Sequence, residues 1–196
     1  MPRRTPPTYR PRMTRIGVIG SGNIGATIGE AWRRAGHEVL FASRSPDPPR
    51  TVAIPDAIAA ADVVLLATPG AAVPELLAEH GQALDGRVVI DATNDIGAER
   101  LHHADAYVPG ARFVRAFNTL GFEIFADPRF GDEVADLFWC GPLDAGVEQL
   151  IADVGLRPVR VGDIDAIDVV DGAARLWLTL VFRQGHPRRL ALRLLT

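Results

Sequence analysis

The chain contains no lysine, because all 21 of its lysine-plus-arginine residues are arginines. This excludes Schiff-base catalysis on a lysine amine and a lysine general acid. A single cysteine, Cys140, excludes an internal disulfide and fits a reducing compartment, so we expect a cytoplasmic protein. Cys140 ends an apolar run with Phe138 and Trp139, which favours a buried core thiol over a catalytic one.

Long apolar runs and a strong excess of basic charge are also absent. No run approaches the roughly 20 apolar residues that a membrane span requires, so we expect no membrane association. The net charge is −3 and the pI is near 5.9, which favours neither nucleic acid nor an anionic membrane as a partner. We therefore expect a small-molecule partner. Residues 1–12 are rich in proline and arginine and lack the apolar segment of a secretory signal. They predict a disordered tail over residues 1–13, with Met13 as an alternative start.

A glycine-rich turn follows the first apolar segment. Arg15–Ile19 is typical of a short buried strand, and the residues after the turn show helical apolar spacing. The turn has the G-x-G-x-x-G spacing, and its candidate cofactor-binding residues are Gly20, Ser21, Gly22, Asn23, Ile24 and Gly25. In a dinucleotide site the first glycine allows the tight turn, the second lets the pyrophosphate approach, and the third lets the helix pack on the strand. Since a strand and a helix flank the turn, we predict a dinucleotide site rather than a glycine turn without a ligand.

The end of the second expected strand indicates which dinucleotide binds. This strand, over residues 37–42, is followed by Ser43 and Arg44. An NAD site places Asp or Glu here to bind the ribose 2′-OH, whereas a hydroxyl and a guanidinium suit a 2′-phosphate. Arg50 lies near enough in sequence to assist. We therefore predict NADP(H), bound by Ser43, Arg44 and Arg50; the alternative is that Arg44 is a solvated loop residue.

Further strand and helix patterns alternate along the chain. Strands are expected over residues 51–54, 62–67, 87–92, 113–117 and 136–140, the last of them ending the sheet, and helices over 55–60 and 74–80. This alternation predicts an α/β fold of the Rossmann type, with a doubly wound parallel sheet. Ligands in such sheets lie beyond the carboxyl ends of the strands. The residues expected to bind the cofactor there are Thr68, Pro69, Val73, Thr93, Asn94, Asn118 and Thr119, although each polar one alone is also a common cap or turn residue.

The C-terminal part has a different pattern. We expect a helix over residues 145–154, a turn and strand over 155–161, and a helix over 165–183 whose second half is apolar nearly all round. Such a helix must be buried in the core or against another subunit, so we predict a homodimer built on it. The expected organisation is a tail over 1–13, an NADP-binding Rossmann domain over 14–141, and a small C-terminal helical appendage over 142–196 for substrate binding or dimerisation.

Four motifs give the chain a likeness to a known family. They are the glycine turn over residues 20–25, residues 36–39 leading to Ser43 and Arg44, Asp-Ala-Thr-Asn over 91–94, and Ala-Phe-Asn-Thr over 116–119. With these motifs the chain resembles, over residues 15–196, the NADPH-dependent reductases of the deazaflavin coenzyme F-420. The resemblance implies direct hydride transfer between C4 of NADPH and C5 of coenzyme F-420 as co-substrate. Such a transfer needs stacking, orientation and exclusion of water, so we expect no catalytic side chain.

The histidines do not form a catalytic or metal-binding pattern. His37 is expected at a helix end and His186 in a loop. His102 and His103 are adjacent, so a regular element would point them apart, and they lack partners at ligand spacing. We therefore expect no metal site.

Two other functions stay open on the sequence. The first is the same enzyme class with another acceptor, namely a flavin, a quinone or an imine. The β-hydroxyacid dehydrogenases and pyrroline reductases share the opening motif, but they need a much larger helical C-terminal domain. The second is a protein that senses NADP(H) without turnover, which would bind NADPH that no acceptor oxidises.

Overall fold

The computed structural model describes residues 13–195, so the expected tail, apart from Met13, lies outside the described residues. The strands are β1 (Arg15–Ile19), β2 (Glu38–Ala42), β3 (Val63–Leu66), β4 (Val88–Asp91), β5 (Arg112–Arg115), β6 (Arg129–Phe130), β7 (Glu133–Val134), β8 (Asp136–Cys140) and β9 (Arg157–Gly162). The α-helices are α1 (Asn23–Ala35), α2 (Ile54–Ala60), α3 (Val73–His80), α4 (Phe122–Ala126), α5 (Ala145–Asp153) and α6 (Ile167–Leu178), the last continued by a π-helical turn at Thr179–Arg183.

Seven of the strands form one sheet in the order β2–β1–β3–β4–β5–β8–β9. The strands from β2 to β5 are parallel to their neighbours, and β9 is parallel to β8. Strand β8 is antiparallel to β5, which it meets at Arg115 and Cys140. The observed fold is therefore the expected Rossmann-type α/β fold, with one antiparallel junction in an otherwise parallel sheet.

The core lies on both faces of this sheet. In β3, Val63 and Leu65 belong to one buried apolar cluster, whereas Val64 and Leu66 belong to another. The first cluster includes Trp32 of α1 and residues of α4, α5 and α6, and the second includes residues of α2 and α3. Because side chains of a strand alternate between its faces, a strand buried on both sides reads as a continuous apolar run, as β3 does.

Two expectations about strands are wrong. Residues 136–140 do not end the sheet, because β9 pairs along β8 and forms the edge. A strand over 155–161 was expected, but its place in the sheet was not. Strand β9 carries Pro158, and proline is tolerated in a sheet only at an edge or a bulge, as the edge position of β9 allows. Residues 51–54 do not form a strand either, since only Val52 bridges to Ala42 before α2 begins at Ile54. The sequence analysis also missed α4 and the hairpin of β6 and β7.

Cys140 is fully buried at the end of β8, as expected of a core thiol. Burial, which disfavours the charged thiolate, raises its pKa to about 12.

Helix α6 is buried on one side and exposed on the other. Its buried residues include Val170, Ala174 and Trp177, the last of which donates its indole N–H to the carbonyl of Leu190 at 2.8 Å. The exposed apolar residues on the opposite side, which we call the outer face of α6, are Val169 and Leu176, with 62% and 47% of their surface accessible. Phe182, in the π-helical turn, is 60% exposed, and its ring meets that of Trp177 edge-on at 6.0 Å. The described part of the chain therefore leaves part of the apolar surface of this helix uncovered. It contains no helix long and apolar enough to cross a membrane.

Candidate functional site

The glycine turn lies between β1 and α1 and requires glycine at two of its positions. Gly20 has a φ of +107°, and a Cβ there would lie 2.5 Å from the carbonyl oxygen of Ala67. A Cβ on Gly25 would lie 1.9 Å from the carbonyl oxygen of Gly20 and 3.1 Å from a methyl group of Val18. Helix α1 therefore packs on β1 at a distance that any larger residue prevents, as a dinucleotide-binding turn requires.

Gly22 differs from the other two glycines of the turn. A Cβ on it would meet no atom within 4 Å. Gly22 is the N-cap of α1, and the helix begins with no side-chain cap and no acidic residue in its first turn. The helix N-terminus thus presents backbone N–H groups and the positive end of the helix dipole to open space, which suits a pyrophosphate.

A cavity of about 180 Å³ lies beside this turn, at the carboxyl ends of β1 and β2. Ser43, Arg44, Thr68 and Pro69 line it, as does the side of α3 that carries Glu75, Leu76, Glu79 and His80. The guanidinium of Arg44 lies 3.5 Å from a carboxylate oxygen of Glu75, and both side chains are about three-quarters exposed. Such an exposed ion pair contributes little to stability, so a bound anion can take the place of the Glu75 carboxylate as the partner of Arg44 at a low cost in free energy.

Two of the expected cofactor-binding residues lie elsewhere. Arg50 borders a separate hollow and donates two hydrogen bonds to Asp47, at 3.0 and 2.6 Å. Ser43 lines both hollows, so it lies between Arg44 and Arg50. The side chain of Val73 is fully buried in the apolar cluster under α2 and α3.

The polar residues after β4 and β5 converge on a buried arginine. Arg115, with no exposed surface, donates hydrogen bonds to the carbonyl oxygen of Thr93 at 2.6 Å and to the Asn94 side chain at 3.1 Å. It also forms ion pairs with Asp91 at 3.2 Å and with Asp171 of α6 at 2.8 Å. Thr93 in turn donates its backbone N–H and its hydroxyl to Asp91.

Asn118 joins the same arrangement from the loop after β5. Its side-chain amide donates to Asp171 at 3.0 Å, and its carbonyl oxygen accepts from the Asn94 amide at 2.8 Å. The preceding residue, Phe117, has a φ of +63°, a left-handed conformation that is uncommon outside glycine and clusters at functional sites. Its ring is buried edge-on against Trp32 and Phe125, which holds the backbone in this conformation.

Several buried polar atoms at this edge of the sheet have no hydrogen-bond partner within the described residues. They include Thr68 Oγ1, Asn118 Oδ1 and Thr119 Oγ1. Buried polar groups are nearly always satisfied in proteins, so these atoms indicate a place where a polar ligand or water completes the structure. Together with the space over Gly22, they fit the dinucleotide that the sequence predicts.

The phenol of Tyr107, near Arg115, does not suit general acid or base catalysis. Tyr107 is buried close to Asp91, and its pKa is raised well above the usual range, first by burial and then by the charge of Asp91. The phenol is therefore neutral at physiological pH.

The histidines have structural partners. His37 accepts from the backbone N–H of Thr14 at 3.2 Å, and its other ring nitrogen lies 2.8 Å from Asp153, which links the turn between α1 and β2 to α5. His103 lies 3.0 Å from Asp95, and His102 accepts from the backbone N–H of Ala104. Over residues 13–195 no group of three or more potential metal ligands comes together.

These features define a dinucleotide-binding protein of the Rossmann class. Residues 15–95 match the family described as NADP oxidoreductase, coenzyme F420-dependent. The match confirms the resemblance that the motifs indicated and the enzyme class expected from it, an NADP-dependent oxidoreductase.

Solved structures confirm the fold over most of the chain. One is a protein of Arthrobacter sp. FB24, provisionally named an F420-dependent NADP-reductase, with 24% identity and a TM-score of 0.74; the match covers 88% of this chain and 95% of that one. A reductive aminase from Aspergillus terreus, solved with NADPH and ethyl levulinate, has 18% identity and a TM-score of 0.58 over 90% of this chain and 68% of its own. Pyrroline carboxylate reductase from Plasmodium falciparum, solved with NADP, has 11% identity and a TM-score of 0.56 over 89% and 71%.

Sequence reasoning missed Arg115, Asp171 and Glu75. Arg115 was visible as a charge in the middle of the expected apolar strand over 113–117, and Asp171 as an acid between Val170 and the apolar half of the expected helix. Charged residues are rarely fully buried unless they are paired, so both positions carried a signal. Nothing in the sequence links residues 115 and 171, which only the fold brings together.

Proposed function

We propose that this protein transfers a hydride between NADPH and a deazaflavin of the coenzyme F-420 type. The observation that carries the proposal is the open space over Gly22 beside a cavity that ends at Arg44. The family match over residues 15–95 supports the acceptor. The hydride chemistry belongs to the cofactor, and the chain contributes binding, orientation and exclusion of water.

The preference for NADP(H) over NAD(H) rests on Ser43 and Arg44. The cavity beside them offers a guanidinium and a hydroxyl to a 2′-phosphate, and Arg44 can exchange its exposed contact with Glu75 for a phosphate. In the proposed complex the pyrophosphate lies over Gly22, the adenosine end enters the cavity, and the nicotinamide end lies near Asn118 and Thr119. The proposed role of Arg50 is the weakest of these, because its guanidinium is occupied by Asp47.

The first experiment is anaerobic oxidation of NADPH by oxidised coenzyme F-420, followed by loss of the visible absorbance of the acceptor. Fast, saturable bleaching with NADPH and little with NADH is expected. If NADPH is oxidised by a free flavin, a quinone or an imine but not by coenzyme F-420, that compound is the acceptor instead of the deazaflavin. NADPH that binds but is oxidised by none of them would indicate a sensing protein.

The nucleotide preference has its own test. Arg44→Ala should lower the ratio of NADPH to NADH affinity about tenfold, since one charge-assisted contact to phosphate is lost. Arg34→Ala is the matched control, because Arg34 is also exposed but lies in the last turn of α1, away from the cavity. An unchanged ratio in Arg44→Ala would reject the assignment of this residue.

We also propose a homodimer that uses the outer face of α6, and a cytoplasmic location that fits the single cysteine. The exposed apolar residues Val169 and Leu176 support this interface. In this proposal residues 14–141 hold the nucleotide, and residues 142–196 contribute to the acceptor site and the dimer, although β9 also extends the sheet. Sedimentation as a monomer at micromolar concentration would remove the dimer.

A further inference from the structure

The segment between β4 and β5 pairs a histidine with an aspartate eight positions away in the sequence. We call residues 95–106 the 95–106 loop. In it, Nε2 of His103 lies 3.0 Å from a carboxylate oxygen of Asp95. A carboxylate only accepts hydrogen bonds, so Nε2 donates to Asp95, and Nδ1 is the ring nitrogen that gains and loses a proton. Nδ1 has no hydrogen-bond partner within the described residues. The pair is therefore arranged as an imidazole that a carboxylate orients for proton transfer.

The 95–106 loop connects the carboxyl edge of the sheet to α6. Asp95 directly follows Asn94, and a Cβ on Gly70, in the loop after β3, would lie only 2.3 Å from the backbone nitrogen of Asp95. Further along, the carbonyl oxygen of Glu99 accepts a hydrogen bond from Arg175 of α6. The loop thus lies between the edge assigned to the nicotinamide end and the helix assigned to the acceptor side.

The imidazole is accessible from outside. His103 and Asp95 have 24% and 19% of their side-chain surface exposed. His103 also lines a hollow of about 400 Å³, together with Glu99, Arg100 and His102. A bound molecule can therefore reach the imidazole, and water can restore a proton that it loses.

Reduction of an acceptor of the proposed class requires a proton as well as a hydride. NADPH gives the hydride from C4 and becomes NADP⁺. The acceptor gains the hydride on one atom and a proton on another, which is a ring nitrogen in a deazaflavin. The hydride belongs to the cofactor, whereas the proton comes from the chain or from water. A positioned acid accelerates such a transfer by about 10²–10⁴-fold.

The other four of the five histidines do not combine the features of His103. His37 has both ring nitrogens engaged, and Nδ1 of His102 accepts from a backbone N–H. His80 lines the cavity assigned to the adenosine end. The backbone N–H of His186 donates to a carbonyl oxygen, but its ring forms no ion pair within the described residues. His103 thus has a carboxylate partner, an open ring nitrogen and a place near the carboxyl edge.

We propose that His103, oriented by Asp95, donates the proton that accompanies the hydride and takes it back in the reverse reaction. In the forward step the bond between Nδ1 and its proton breaks as the ring nitrogen of the acceptor gains that proton. Water then returns a proton to the neutral imidazole. Asp95 is the positioning residue, since its carboxylate holds the ring and stabilises the imidazolium. This inference rests on the proposed function, because it needs an acceptor beside bound NADPH.

Anaerobic turnover of NADPH with coenzyme F-420 tests the role of His103, with calorimetric titration of NADP⁺ on the same samples. His103→Gln keeps a polar side chain but removes the acid, so kcat should fall about 100-fold. NADP⁺ affinity should stay within about twofold, because His103 does not line the nucleotide cavity. Imidazole added to His103→Gly should raise its kcat at least about tenfold, since the free acid replaces the missing one. A histidine with a merely structural role would show no such rescue.

Asp95→Asn tests the positioning residue and keeps the proposal testable if the His103 variants do not fold. It retains the shape of the side chain and one oxygen but removes the charge, so kcat should fall about tenfold. The pH at which kcat declines should also move lower, because the imidazolium loses the carboxylate that stabilises it. The other charged or titratable groups around the hollow stay unchanged in this variant, namely Glu99, Arg100, His102 and Asp105.

Asp105→Asn is the matched control. Asp105 lies in the same loop but is paired with Arg100 at 2.7 Å, so its loss should leave kcat and the pH profile unchanged.

Lower kcat with unchanged NADP⁺ affinity and rescue by imidazole supports the proposal. Full kcat in His103→Gln, or a loss that imidazole does not restore, overturns it, as does an unshifted pH profile in Asp95→Asn. If the unaltered protein reduces no acceptor, the proposed function itself fails, and this inference fails with it.

Discussion

Replacing Gly22 with alanine should separate nucleotide binding from stability. The residue has a φ of −72° and a ψ of −175°, which alanine adopts readily, and the added methyl group would meet no atom within 4 Å. Alanine is a poorer N-cap than glycine by about 0.5–1 kcal/mol. It also reduces the entropy of the unfolded chain, which stabilises by about 0.4–1 kcal/mol. The two effects nearly cancel, so the thermal midpoint should change by no more than about 2 °C.

The same methyl group would occupy the space through which a pyrophosphate reaches the helix N-terminus. We expect NADP⁺ affinity to fall at least about tenfold, equivalent to roughly 1.4 kcal/mol or more. Calorimetric titration gives the affinity, and a thermal scan without nucleotide gives the stability of the same sample.

Gly25→Ala is the matched comparison within the same turn. Its Cβ would lie 1.9 Å from the carbonyl oxygen of Gly20, so α1 must move away from β1. Overpacking of this kind costs about 1–3 kcal/mol, which lowers the midpoint of a chain this size by about 3–10 °C. The reasoning would be refuted by full NADP⁺ affinity in Gly22→Ala, or by an unchanged midpoint in Gly25→Ala.

Three further predictions concern other parts of the fold. With its pKa at about 12, roughly one part in ten thousand of the Cys140 thiol should be ionised to thiolate at pH 8. Ellman's reagent should therefore react with Cys140 only after denaturation. Rapid reaction in the native protein would contradict the burial of this thiol. Burial alone would raise the pKa of Asp136, but hydrogen bonds from Arg157 and the backbone of Leu194 and the nearby arginine charges hold it below the usual range. Since the folded pKa of Asp136 lies below the unfolded one, the stabilisation by its carboxylate is present above about pH 4 and is lost as the pH falls through the folded value. Asp136→Asn should therefore be less stable than the unaltered protein at pH 7 and should lose less stability on acidification. Parallel pH profiles of the thermal midpoints of the variant and the unaltered protein would refute this. Leu176→Glu should convert the proposed dimer to a monomer in sedimentation experiments while leaving the fold intact by circular dichroism, because it places a charge on the outer face of α6; an unchanged mass would reject that face as the interface.

The sequence predicted the nucleotide end of the site better than the opposite end. The glycine turn, Ser43 and Arg44 are contiguous with the strands that position them, so local spacing was enough to predict that they lie together at the ends of β1 and β2. Arg50 was assigned by proximity in sequence, but its guanidinium turns to Asp47. Val73 was assigned to the cofactor, but its side chain is packed in the core. Side-chain direction within a loop depends on neighbours that spacing does not reveal.

The edge strand β9 shows a second limit. Its alternation of arginine and apolar residues, with a proline, indicated a strand but not its place in the sheet. That place depends on α5 crossing over to make β9 parallel to β8, while β8 turns antiparallel to β5. Such pairings are tertiary contacts between segments far apart in the chain.

By itself the sequence determined the Rossmann class, the glycine turn between β1 and α1 and the basic end of the second strand, because glycine spacing, strand apolarity and residue charge act locally. Its composition also excludes catalysis by a lysine and an internal disulfide among these residues. Only the tertiary structure decided that Arg115 and Asp171 form a buried pair, that the Asn94 side chain bonds to Arg115 and to the carbonyl oxygen of Asn118, and that Asn118 and Thr119 have polar atoms without a partner within the described residues. Those facts depend on α6 packing across the end of β5, a contact between residues 56 positions apart that no local pattern records.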